Sequence, residues 1–139
     1  MPNVNDADIT AVYVSQSNSA GVQDDAPNAQ NPGGPFDVTL EMVAGWSLGS
    51  GSYTLKTSCA DLTTMQPAPA GMIPASFSGT STFGATPPWK PIPNLYYTYS
   101  VNASASGGAA GHVYQYTVSL VSGNGQVVAI RQSDPFVLV

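Results

Sequence analysis

No window of ten or more residues in this 139-residue chain keeps apolar positions at three-and-four spacing without a Gly or Pro breaking it. A helical core therefore has nothing to be built from. What recurs instead is two-residue alternation in short runs, each bounded by Gly, Pro, Asn, Asp or Ser, which is the pattern of half-buried strands. Residues 36–43 are the clearest case. Phe36, Val38, Leu40 and Met42 fall on one face, and Asp37, Thr39 and Glu41 on the other. Residues 52–59 place Tyr53, Leu55 and Cys59 inward against Thr54, Lys56 and Ser58. Further strands are expected at 7–14, 75–83, 95–103, 112–122 and 126–132, the last of them interrupted by Asp134-Pro135 before 136–139 closes the chain.

The turn before the last long strand sets a register. A two-residue Asn124-Gly125 turn would put Val118 opposite Arg131 and mix a charge into an apolar face. A three-residue Gly123-Asn124-Gly125 loop pairs Leu120 with Val128 and Val118 with Ile130, and sets Thr117 beside Arg131. Because a one-residue slip inverts every side chain, the alternation favours the second register.

Two irregular stretches separate the strands. Residues 15–35 are polar and end Asn31-Pro32-Gly33-Gly34-Pro35, and are expected to be a long flexible loop or arm. Residues 61–94 hold seven of the twelve prolines. Within them, Pro87-Pro88-Trp89-Lys90-Pro91-Ile92-Pro93 favours an extended polyproline conformation and reads as a crossover between sheets. The expectation is a single domain over 1–139, folded as an all-β, seven-stranded antiparallel β-sandwich with long Pro/Gly-rich loops.

The run Tyr114-Gln115-Tyr116-Thr117-Val118-Ser119-Leu120, followed by a glycine turn, resembles the sixth strand and final hairpin of immunoglobulin-like and fibronectin type III domains. The resemblance covers about the last 105 residues and is at the level of fold. It departs from true immunoglobulin domains in lacking a cysteine pair and in placing Trp46 after the second strand. It implies a scaffold that hosts many functions.

Charge narrows the functions. Asp, Glu, Lys and Arg make up 8% of the chain, and Lys56, Lys90 and Arg131 are its only cations. That is too few for a basic footprint on nucleic acid, and the net charge of −5 opposes it further. No run is long and apolar enough to span a membrane. The first residues resemble no signal peptide, so the chain is expected to be cytoplasmic or exported by a route not visible in it.

Catalytic chemistry has little to stand on. His112 is the only histidine, and the forty residues from Pro91 to Ile130 contain no charged side chain to orient it. It reads as a surface histidine at a strand start, unless a distant loop supplies a partner. Cys59, the only cysteine, shares a face with Leu55 and reads as a small buried hydrophobe. Asp6-Ala7-Asp8 and Asp24-Asp25 lack calcium-loop spacing and read as solvated acidic segments. No catalytic residue, metal site or cofactor is expected.

The expected function is accordingly a non-enzymatic immunoglobulin-like module for protein–protein interaction or structural assembly, as a homo-oligomer or with a protein partner. Strand edges are normally blunted by charge, and the strands between 95 and 130 carry none. The 136–139 segment is apolar on both faces, so Phe136 and Leu138 are candidate contact residues. Its cover is expected from the proline-rich stretch or from another subunit. The alternative is a carbohydrate-binding sandwich in which Trp46, Trp89 and Tyr96 offer flat rings to a glycan.

Overall fold

The computed structural model describes residues 7–19, 22–44, 52–73, 77, 79–82, 96–102, 106–122 and 127–139. They form an all-β architecture of nine antiparallel strands, compatible with a β-sandwich. The strands are β1 (Ala7–Gln16), β2 (Pro35–Ala44), β3 (Ser52–Asp61), β4 (Gln66–Pro67), β5 (Gly79–Thr82), β6 (Tyr96–Asn102), β7 (Val113–Ser122), β8 (Val127–Gln132) and β9 (Phe136–Val137). A 3-10 turn at Ala70–Met72 follows β4. The expected strands all appear within a few residues of their predicted bounds. The two-residue β4 carries no alternation from which to predict it.

One sheet has the order β1-β2-β6. The other runs β4-β3-β7-β8, with β5 also pairing β3 and β9 also pairing β7. In β2, Phe36, Val38, Leu40 and Met42 are all buried, but so are Asp37 and Thr39 on the opposite face, so this central strand is covered on both sides rather than half-buried. On β3, Leu55 and Cys59 are buried and Lys56 and Ser58 exposed, as the pattern requires. Both sheets contribute to one cluster of buried side chains. Ile9, Val12 and Val14 come from β1, and Tyr114, Tyr116, Val118 and Leu120 from β7. At its centre the Phe136 ring lies 5.6 Å from Phe36 of the first sheet and 5.5 Å from Tyr116 of the second.

The β7–β8 register departs from expectation. Val121 pairs with Val127, which belongs to the expected register, but the register then shifts. Leu120 pairs with Ala129, Ser119 with Ile130, Val118 with Arg131 and Thr117 with Gln132. Val128 is the extra residue of a bulge, so every position beyond it is inverted. Ile130 is consequently 62% exposed. Arg131 is brought to the side of Val118, where its Nε donates to the Ile9 carbonyl at 2.8 Å. β1 has its own shift at that point, between Ile9 and Ala11. Counting alternation assumes an unbroken ladder, and a bulge is what such counting cannot see. The 123–126 turn lies outside the described residues.

The 15–35 stretch is shorter than predicted at both ends, because Ser15 and Gln16 complete β1 and Pro35 opens β2. Its described residues close on themselves through turn bonds such as Asn31 N–H to Asn28 O and Gly34 N–H to Asn31 O. They also reach the far end of the chain. Val137 N–H donates to Asp25 O at 2.8 Å, and Gly33 N–H donates to Val139 O at 2.9 Å. The Asn28 amide makes two bonds to Val139, donating through Nδ2 to its carbonyl and accepting its N–H at Oδ1.

Candidate functional site

Where β3 ends and β7 begins, register brings Asp61 opposite Tyr114 and therefore close to His112. His112 Nδ1 lies 2.8 Å from Asp61 Oδ2. An ionised carboxylate has no proton to give, so Nδ1 is the donor. Asp61 Oδ1 accepts the backbone N–H groups of Thr63 and Thr64, which folds residues 62–65 into a tight turn. Thr63 Oγ1 in turn accepts Val113 N–H, and Leu62 N–H donates to Val113 O. The turn is thus tied to Val113 of β7 by two bonds and to His112 just before it by a third.

Sequence reasoning gave His112 no partner within its own segment. The partner is Asp61, 51 residues away, and it comes from the end of β3 rather than from a loop. No local signal identifies it, because only the β3–β7 register makes the two neighbours.

The His112 hydrogen bond is the main cause that holds the Asp61 carboxyl below its usual range, helped by the two backbone amides and opposed by desolvation. A carboxylate with a lowered folded value stabilises the fold fully above its ordinary pKa, about 3.9. That contribution is lost as pH falls through the lowered value. Asp61→Asn is therefore expected to lower stability at neutral pH and to flatten its decline in acid. Urea denaturation at a series of acidic pH values checks this, and superimposable acid limbs for the two proteins would refute it.

The pair does not extend into a catalytic array among the described residues. A hydrolytic triad needs a nucleophile on the second imidazole nitrogen, and no hydroxyl or thiol of these residues bonds it. Cys59 is buried on the inner face, and burial pushes its thiol up to about 12, so it stays protonated and unreactive. Tyr116 is likewise kept protonated, with its hydroxyl donating to the buried Met72 carbonyl. No group of three or more metal-ligating side chains occurs among the described residues.

What the site does offer is a surface. Residues 62–67 are all exposed, and Met65, in the left-handed region at φ 58°, is 81% exposed beside Leu62. The segment that follows lies against the 106–108 corner. A Cβ on Gly71 would stand 2.7 Å from the Ser106 carbonyl oxygen, so this close approach requires glycine. A Cβ on Gly108 would meet the end of the Leu138 side chain at 2.7 Å.

The residues predicted for binding fare differently. Phe136 and Leu138 are 1% and 2% exposed, and serve the core rather than a contact surface. Trp46 and Trp89 lie outside the described residues. Tyr96 opens β6 with its backbone opposite Glu41, and its side chain also lies outside them. Sequence reasoning passed over Leu62 and Met65, since two apolar residues in a polar turn look like a strand fragment or nothing. Among the described residues no helix is long and apolar enough to cross a membrane.

No protein-family model matches the chain, and no curated protein matches it either.

Proposed function

We propose that this chain is an immunoglobulin-like β-sandwich module that works without catalysis, in protein–protein contact and assembly, and docks through the turn between β3 and β4. Two observations support the scaffold. Lettered in chain order, β1-β2-β6 corresponds to A-B-E, and β5-β3-β7-β8 to C′-C-F-G, close to the division of strands in immunoglobulin-like sandwiches. Tyr114 stands at the start of the F-like strand, and its Oη accepts the Ala109 N–H at 2.8 Å, in the manner of the tyrosine corner of such domains.

The observation that carries the docking role is Met65. A large apolar side chain held in solvent, in a backbone region that non-glycine residues rarely occupy, is unfavourable for an isolated fold. The bonds from Asp61 and Thr63 hold the turn in shape beforehand, so little order remains to be imposed on binding. A ready-made apolar tip of this kind suits a protein contact.

Light scattering behind size exclusion tests the reading. The chain is expected to gain mass as its concentration rises through the micromolar range, and Met65→Asp should suppress that gain. A monomer mass at every concentration, unaltered by the substitution, would sink self-association through this turn.

A further inference from the structure

The residues that hold 136–139 form a slot with two walls. On one side β7 pairs Val113 with Val137 and Tyr114 with Phe136, while Leu138 N–H donates to His112 O and Gly111 N–H to Leu138 O. On the other side stand Asp25 O, the Asn28 amide and Gly33 N–H, which bind Val137 and Val139. The floor takes two anchors, Phe136 among the rings of Phe36, Tyr114 and Tyr116, and Leu138 against the Gly108 backbone. A strand bonded along both edges, with alternate side chains in pockets, is how extended peptides are recognised by sheets.

The occupant is joined to the rest of the chain by little. Ser133 is fixed to β7, since its N–H donates to Tyr116 O, its Oγ accepts Tyr116 N–H, and its carbonyl accepts Gln115 Nε2. Between it and the slot stand only Asp134 and Pro135, both exposed, with one side-chain bond from Gln23 to the Asp134 carboxylate. Pro135 has no N–H to tie down.

The geometry points to strand exchange: the slot between β7 and the 22–34 loop accepts residues 136–139 of a second copy of this chain. An exchanged segment makes the same contacts as its own, so what opposes it is the association entropy and the close approach that a two-residue hinge demands. From Ser133 to Phe136 the chain reaches about 10 Å at most, so donor and acceptor lie face to face. The exchange rests on the assembly reading above and names its partner, but uses residues separate from Leu62 and Met65.

The test uses a full-length acceptor, Phe136→Ser with Leu138→Ser, whose own segment no longer fills the slot. A fluorescein-labelled peptide of sequence SDPFVLV should bind it saturably in the micromolar range, and a scrambled peptide should not. Adding Asn28→Ala to the acceptor should weaken binding about tenfold, the loss of one well-placed pair of bonds. If the acceptor is unfolded alone, the peptide should restore its circular dichroism. Mixed with the unsubstituted chain, the acceptor should form a complex of two chains, and this complex should survive Met65→Asp. Absence of saturable binding and of induced folding overturns the proposal, as does peptide binding without any two-chain complex. An association abolished by Met65→Asp, with no peptide binding, would leave the assembly reading standing and remove the exchange.

Discussion

Phe136→Ala is expected to destabilise the fold by about 3–5 kcal/mol, the range for removing a fully buried aromatic ring. The position makes the upper part of that range reasonable. Phe136 is tilted against Phe36 at 5.6 Å, stacked on Tyr116 at 5.5 Å, and 6.0 Å from Tyr114. Phe36 belongs to the first sheet, whereas both tyrosines belong to β7 of the second. Truncation leaves a cavity bordered by elements that cannot collapse independently, because each is held in its own ladder. Denaturant unfolding followed by tyrosine and tryptophan fluorescence measures the loss. A change under about 1 kcal/mol would mean that the ring is a surface group after all.

Tyr114→Phe is the second large effect, about 1–3 kcal/mol, and has a different origin. The ring remains, and so does its packing against Phe136. What disappears is the acceptor for the Ala109 N–H, in the corner that leads into β7. That corner also contains His112, whose N–H donates to Ala109 O. Loss of the bond is therefore expected to speed amide exchange through 109–112 as well as to lower global stability. Unchanged exchange at Ala109 would show that water replaces the phenol without loss, and would withdraw one support for the immunoglobulin-like reading.

Most of the strands were legible because their side chains alternate and their ends carry Gly, Pro, Asn or Asp. β2 is the plainest instance: its inner face follows from Phe36, Val38, Leu40 and Met42 alone. The single bulge at Val128 defeated the same logic in β8 and turned Ile130 outward. The site was far less legible. Asp61 and His112 meet through the pairing of β3 with β7, a relation between segments that neither segment encodes by itself. The sequence points to the proline-rich stretch or a second subunit as the cover of the last strand. In the structure, residues 25–33 supply it, through backbone groups and one amide side chain that carry no hydrophobic signature.

The two sheets are stitched at their margins by Arg131, which reaches from β8 to the backbone of β1. The Ile9 carbonyl that accepts the Arg131 Nε–H is a backbone group and does not titrate. The Asp61 carboxylate that fastens the β3–β4 turn beside the start of β7 does titrate. Protonation of Asp61 is therefore expected to loosen the turn carrying Met65 while leaving the Arg131–Ile9 bond between β8 and β1 untouched.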